Sequence, residues 1–370
     1  MVGRLPTAMA ALAVLLLVRG QGGDYTLAGA LAALYTAGTS VGQPMLARVV
    51  DRRGQPLVLV ASGLVSSAAF VVLAVTGAHH AVASGAAAVV AGLATPPLEP
   101  CLRSLWALVV GDGPLLPSAL SLDVGVQELV FVAGPLLTTA GVAAFGHAGG
   151  VLGCAVLGLL GTLGFAGLRA PRAWRPHPVA GGHGSPLRSP ALVRIFLAAL
   201  ACGVPVGALA VVAAAYAQHH GGSSITGWVL AANALGALSA GLLGAVRPRT
   251  FERLGITTAG VALAIGYLPL AIPVPLGGWV AFAVLAGLAL PPTLTVVFRR
   301  IQAICPPNLL TEANAWIVTT FGGGAAVAAL VAGVLVDGIG GQAAVTTIVL
   351  ADSAFTALVC LLARGGRTTA

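Results

Sequence analysis

The sequence predicts an all-α membrane protein with twelve transmembrane helices in two parallel six-helix halves. Three observations carry this: an excess of apolar residues, a one-sided distribution of arginine, and an internal repeat at half the chain length. Of the 370 residues, 58% are hydrophobic and 8% charged, with a mean hydropathy of +1.00. Soluble domains are about 45–50% apolar and about 25% charged. A soluble chain of this length could not bury so much apolar surface, whereas lipid serves as its solvent. A span needs roughly 20 apolar residues, which leaves room for about twelve.

Apolar runs fall near 5–18, 26–47, 57–78, 81–102, 119–144, 147–168, 191–216, 225–246, 256–273, 278–298, 313–336 and 342–363. Backbone groups in lipid must be satisfied within the segment, so these runs are helices. A β-barrel would show alternating segments of roughly ten residues instead. The first run, ending at Val18, follows Arg4 and resembles a signal peptide. The rest of the chain is equally apolar, so it is read as a first span. That span is short, and an upstream start would lengthen it.

Every basic residue is arginine. Arg4 precedes the first run. Arg48, Arg52, Arg53, Arg103, Arg169, Arg172, Arg175, Arg188, Arg194, Arg247, Arg249, Arg253, Arg299, Arg300, Arg364 and Arg367 follow even-numbered runs, and only Arg19 follows an odd one. The positive-inside rule then places both termini in the cytoplasm and supports an even span count. The net charge of +8 is that of membrane loops, and no nucleic-acid surface is expected. Arginine-only basicity with abundant Ala and Gly suggests a GC-rich bacterial genome. The stretch 169–190 reads as a cytoplasmic linker between halves 1–168 and 191–370. The cysteines Cys101, Cys154, Cys202, Cys305 and Cys360 show no paired spacing, so packing residues are expected rather than a disulfide frame or metal site.

The halves repeat. Ala91-Gly-Leu-Ala-Thr-Pro-Pro97 matches Ala286-Gly-Leu-Ala-Leu-Pro-Pro292, and Asp51-Arg-Arg-Gly54 matches Glu252-Arg-Leu-Gly255. Both pairs join runs six apart, in the same order, as in a parallel repeat about an axis along the membrane normal.

The second of these motifs reads Ala47-Arg-Val-Val-Asp51-Arg52-Arg53-Gly54-Gln55-Pro56. It resembles the Gly-x-x-x-Asp-Arg-x-Gly-Arg/Lys-Arg/Lys loop of the major facilitator superfamily. The Asp-Arg-x-Gly centre is kept, while Ala47 replaces the first glycine and Gln55-Pro56 the basic pair. With the repeat and the span count, the resemblance covers nearly the whole chain. It implies the superfamily fold and secondary transport, with Asp51, Arg52 and Gly54 gating the cytoplasmic side. A carboxylate can cap a helix start or pair with Arg, and glycine permits close approach. A loop that merely sets topology is the alternative. In run five, Gly134-Pro135 resembles part of the family's antiporter pattern, with Val130 and Thr138-Thr139 where glycines would stand. The same pair reads equally well as a packing notch with a kink.

Ionisable groups within a bilayer are costly, so each is a functional candidate. Glu128 lies about ten residues into run five, beside Gln127, with Asp123 nearer the cytoplasm. A carboxylate facing a cavity can take up a proton, and alternating exposure would couple proton flow to substrate. A buried structural carboxylate is the competing reading, and Asp123 also suits a helix start. Pro96, Pro97, Pro291 and Pro292 stand at matching places in runs four and ten and are read as helix breaks lining a cavity. Glu99 pairs with Arg103 one helical turn on. Tyr35, Tyr216, Gln218, Asn233 and Asn314 could bond a substrate or a neighbouring helix. Trp228, Trp279 and Trp316 read as interfacial anchors. The His79-His80 and His219-His220 pairs read as loop residues.

The expected activity is secondary transport of small organic molecules, amphipathic or hydrophobic ones given the sparse charge, with proton-coupled export favoured. Uptake by the same fold and a non-transporting sensor or scaffold are the alternatives. The sequence contains no His-Glu-x-x-His and no phosphate-binding loop, so no enzyme activity, cofactor or metal is expected. The expected partners are the lipid bilayer, a small-molecule substrate and protons, with the chain a monomer in the cell membrane.

Overall fold

The computed structural model describes residues 1–111, 113, 115–175, 184–220, 224–247, 254–339 and 341–362, apart from the side chains of 218–220 and 224. The middle of the expected linker, Glu252-Arg253 of the repeat, and Arg249, Arg364 and Arg367 lie outside these residues, as do the side chains of Gln218, His219 and His220.

The described elements are all helical. In chain order they are α1 (Leu5–Gly20), α2 (Tyr25–Arg53), α3 (Gln55–Thr76), α4 (Ala81–Leu93), α5 (Leu98–Val110), α6 (Leu115–Phe145), α7 (Gly149–Gly167) and the short α8 (Arg169–Ala173). There follow α9 (Pro190–His220), α10 (Ser224–Val246), α11 (Ile256–Tyr267), α12 (Leu276–Ile304), α13 (Leu310–Ile339) and α14 (Gly341–Leu362). Among the described residues, ten helical segments are long and apolar enough to cross a membrane. The chain is therefore a multi-pass membrane protein. Helix α2 is long enough at 29 residues, but Tyr35, Thr36, Thr39, Ser40 and Gln43 make its stretch before Arg48 less apolar. Segment Ile256–Ala271, made of α11 and the 3-10 turn Leu268–Ala271 that continues it, is apolar but short.

The chain forms two compact units. The first gathers Met1–Val109, Leu129–His183 and Pro306–Ala315. Its core is built from α1, α2, α3, α4 and α7 around Met9, Leu17, Leu31, Phe70 and Leu73. Hydroxyls close the gaps between these helices: Ser66 Oγ donates to the Ala91 carbonyl at 2.9 Å and Ser67 Oγ to that of Ala155 at 3.0 Å. Asp24 caps α2 by accepting from the Leu27 amide at 2.7 Å, as an N-cap carboxylate should. The Arg19 guanidinium lies 4.1 Å from the Tyr25 ring centroid and donates to the Gly23 carbonyl.

The second unit gathers Val110–Glu128, Gly184–Cys305 and Trp316–Ala370. Its core includes Tyr216, Leu263, Trp279 and Leu290. Trp279 corrects an expectation. It is fully buried, stacked on Tyr216 at 4.1 Å, and its indole N–H donates to the Ile272 carbonyl at 3.2 Å. An aromatic near a span end serves a lipid interface only if it points outward, and helix rotation turns this one inward. Trp228 does point outward, at 67% exposed.

The internal repeat reappears as matched helix crossings. In the first unit α2 packs along α4, and in the second α10 packs along α12. A Cβ on Gly92 would overlap the Tyr35 carbonyl oxygen, and one on Gly287 would overlap that of Asn233. The glycines of the two repeated Ala-Gly-Leu-Ala segments thus do the same job, letting two backbones touch.

Candidate translocation and gating residues

The end of α2 builds a polar cluster in the first unit. Asp51 is 3% exposed. Its Oδ2 accepts from the Glu312 amide at 2.9 Å and its Oδ1 from the Thr311 amide at 3.3 Å. Both donors lie in the first turn of α13, whose initial N–H groups have no partner within the helix. A carboxylate there satisfies them and complements the positive end of the helix dipole. Glu312 turns its own carboxylate to Arg48, one turn before Asp51 on α2. Arg48 Nε donates to Oε2 at 2.8 Å and Nη2 to Oε1 at 2.6 Å, a two-pronged charged pair. The Glu312 side chain is 1% exposed and that of Arg48 41%. Sequence reasoning assigns Arg48 to topology and misses Glu312, which lies 264 residues away. No local pattern announces such a pair.

Arg52 is exposed. Gly54 is the one-residue break between α2 and α3, at φ 92° and ψ 163°. An added Cβ would meet nothing within 4 Å there, so the position needs glycine for its backbone angles alone. Gly54→Ala should therefore lower stability by about 1–3 kcal/mol. Gly255→Ala, at φ −89° and also in open space, should be near neutral. Thermal unfolding of both variants in detergent checks this, and equal losses would reject it. Gln55, which replaces a basic residue of the resembled pattern, is fully buried. Its Nε2 donates to the Cys101 carbonyl and Ser104 Oγ, each at 3.2 Å. This tie between α3 and α5 leaves no room for a solvated cation.

Pro96 and Pro97 do break the predicted run 81–102, dividing it into α4 and α5. The Thr95 amide turns back to the Gly92 carbonyl at 3.0 Å, and the helix restarts with the Cys101 amide on the Pro97 carbonyl at 3.0 Å. Thr95 Oγ1 donates to the Ala91 carbonyl at 2.9 Å. Tyr35 of α2 lies buried against this break, its hydroxyl 3.4 Å from Thr95 Oγ1. Pro291 and Pro292 correct the expectation of a matching break, because they sit inside the unbroken α12. The first half has a third proline, Pro100, so one more amide is missing within a turn. It also has β-branched Thr95 before the pair where the second has Leu290, a better helix former. Thr293 Oγ1 further supports α12 by bonding back to the Ala289 carbonyl at 2.8 Å. The Glu99–Arg103 pair forms as expected along α5.

Asp123, Gln127 and Glu128 lie on the part of α6 that belongs to the second unit. Asp123 is 4% exposed and Gln127 and Glu128 are half-buried. Asp123 and Gln127, four residues apart, share a helix face, and Glu128 is turned about 100° from Gln127. Glu128 makes no hydrogen bond or ion pair among the described residues, and its charge reaches Tyr267 of α11. Gly134 and Pro135 lie on the part of α6 in the first unit. Gly134 packs against α1, where a Cβ would stand 2.7 Å from that of Ala8. Pro135 leaves α6 unbroken. Asn233 Nδ2 donates to the Ala283 carbonyl at 3.1 Å and Asn314 Nδ2 to that of Leu310 at 2.9 Å, both bonds between or within helices. One carboxylate within a run escapes a reading of the sequence. Asp352 stands near the middle of α14, and the rule that singles out Glu128 applies to it equally.

The model of the Major Facilitator Superfamily matches residues 4–279. The chain belongs to this superfamily. Solved transporters share its fold at low sequence identity. The human organic anion transporter MFSD10 (TETRAN) superposes with a TM-score of 0.72 at 15% identity over 98% of each chain. A bacterial homologue of the iron transporter ferroportin, in its outward-facing state, gives 0.72 at 16% identity over 98% of each. The Escherichia coli fucose:proton symporter FucP, as a point variant, gives 0.69 at 12% identity, covering 99% of this chain and 98% of that one. No curated protein sequence matches the chain. The superfamily fold is thus a transporter's fold, and α6 and α14 each carry a carboxylate within it.

Proposed function

We propose that this major facilitator chain is a secondary active transporter that moves small organic molecules across the cell membrane by alternating access, coupled to protons, in the direction of export. The observation that carries the reading is Glu128. It lies near the middle of a membrane-long helix, half-buried, with no hydrogen bond or ion pair among the described residues. A carboxylate kept in such a place without a structural partner is suited to taking and releasing a proton. The sparse mid-membrane charge favours an apolar or amphipathic substrate. Export rests on the partial antiporter pattern at Gly134-Pro135. In this reading the chain has twelve spans, halves at 1–168 and 191–370 joined by 169–190, both termini cytoplasmic, and works as a monomer. Asp51, Arg52 and Gly54 act at the cytoplasmic gate, and Asp123 and Gln127 stand beside the proton path.

Purified protein in proteoliposomes, under an imposed pH gradient and with a panel of hydrophobic compounds, tests this. Gradient-driven movement should occur, and Glu128→Gln should reduce it at least tenfold, as loss of a proton-carrying group does (about 10²–10⁴ where proton transfer is rate-limiting). Movement that survives the substitution would make Glu128 structural. No movement of any compound by folded protein would favour a sensor or scaffold.

A further inference from the structure

A second half-buried acid lies in α14. Asp352 is the twelfth residue of a 22-residue helix, so about 16 Å of helix separates it from either end. It lines a small, partly open cavity with Tyr267 of α11, whose walls also include Pro205, Leu209 and Val212 of α9, Leu270 and Val349. The space open to the centre of a water molecule is about 10 Å³, close to what one water requires (~10–15 Å³). Asp352 Oδ2 is fully buried and has no hydrogen-bond partner among the described residues, and the fully buried Tyr267 hydroxyl lies within hydrogen-bonding reach of the Asn233 side chain. Tyr267 itself is 3% exposed.

The sequence explains why the cavity is here. Pro205 has no amide hydrogen, which leaves the Ala201 carbonyl of α9 without its helical partner. Thr356 takes that carbonyl, donating Oγ1 to it at 2.8 Å. Thr356 lies one turn beyond Asp352, so the bond that repairs α9 also fixes the acid against the proline notch. The groups facing Asp352 are the apolar side chains of α9, Tyr267 of α11 and Leu270 of the following turn, with Ser353 beside it on α14. Asn233 of α10 is the neutral polar group near the tyrosine hydroxyl. No arginine faces Asp352 among the described residues. An unpaired carboxylate in such walls is costly, and a neutral acid bonded through one water to a tyrosine hydroxyl is not.

We propose that Asp352, with Tyr267 and one bridging water, is a second proton-binding site of this chain. Binding takes one proton from water and turns the carboxylate into a carboxylic acid that donates to the bridging water; release returns the proton. Any part in coupling rests on the transport reading above, whereas proton occupancy does not.

The test is labelling of the full chain in lipid vesicles with dicyclohexylcarbodiimide, an electrophile that takes the proton of a protonated carboxyl in apolar surroundings and is then attacked at its central carbon by the carboxylate oxygen. The Asp352 adduct is quantified by mass spectrometry along a pH series, with acid-unfolded protein as the positive control. The expected result is an Asp352 adduct that falls about tenfold per pH unit above its midpoint. It should be absent in Asp352→Asn, with the midpoint moved in Tyr267→Phe. An Asp352 that stays unlabelled at every pH overturns the proposal, whatever Glu128 does. So does a midpoint indifferent to Tyr267→Phe. Protection by sodium chloride but not choline chloride would also overturn it, since the occupant would then be a metal cation. Labelling of Asp352 in a protein that transports nothing would support the site while rejecting the transport reading.

Discussion

Gly287→Ala, a change of one methyl group, should be among the most damaging substitutions in the chain. The added Cβ would overlap the Asn233 carbonyl oxygen and crowd the Ala237 amide nitrogen at 3.0 Å. These are backbone atoms of a packed helix and cannot rotate away. Relief requires α10 and α12 to part, which also stretches the 3.1 Å bond from Asn233 Nδ2 to the Ala283 carbonyl. Overpacking of this kind costs about 1–3 kcal/mol, and the strained bond adds to it. Gly92→Ala should behave alike in the first unit, where the Tyr35 carbonyl stands in the way. Gly323→Ala in α13 provides the contrast. A Cβ there meets nothing within 4 Å, so it should stabilise by about 0.5–1 kcal/mol through lower backbone entropy. Thermal unfolding of the three variants in detergent decides the matter. Equal midpoints for Gly287→Ala and Gly323→Ala would refute the close crossing.

The contrast shows what a sequence of this composition can reveal. Apolar runs are legible because lipid leaves the backbone no alternative to a helix. The repeated Ala-Gly-Leu-Ala segments are legible because a helix crossing demands the same small residue in each half. The proline pairs next to those segments are not. They look equivalent, yet one ends a helix and the other does not, and the difference lies with Pro100 and Thr95 rather than the pairs themselves. Span ends are equally ambiguous for aromatics, since Trp279 and Trp228 have similar surroundings in sequence but opposite directions in space. Asp352 is open to the same rule as Glu128 but hides in a long apolar run; its proline notch and its tyrosine come from other helices. The α2–α13 cluster is half legible. A carboxylate able to cap a helix can be foreseen at Asp51, but which helix it caps depends on chain folding over 261 residues.

That cluster supports the second large effect. Arg48→Ala should destabilise the first unit strongly, and Glu312→Gln on the same background should restore much of the loss. With Arg48 present, the buried Glu312 carboxylate has a cation at 2.6 Å. Without it, that carboxylate stays 1% exposed close to a second buried acid, Asp51, at 3%. Breaking a fully buried pair from one side costs about 3–5 kcal/mol. Arg48 is 41% exposed, so water can partly replace it, and a loss of about 2–3 kcal/mol is expected here. Glu312→Gln removes the buried charge that Arg48 pairs with while leaving the backbone amide that Asp51 accepts from. The double variant should therefore be more stable than Arg48→Ala alone, a sign that no independent pair of surface substitutions would give. Asp51→Ala should behave differently: it strands two amides at the start of α13, costs about 1–2 kcal/mol as a lost cap, and gains nothing from Glu312→Gln. Unfolding midpoints of the single and double variants, measured in one detergent, complete the cycle. A double variant less stable than Arg48→Ala would mean that the ion pair is not what makes Arg48 matter.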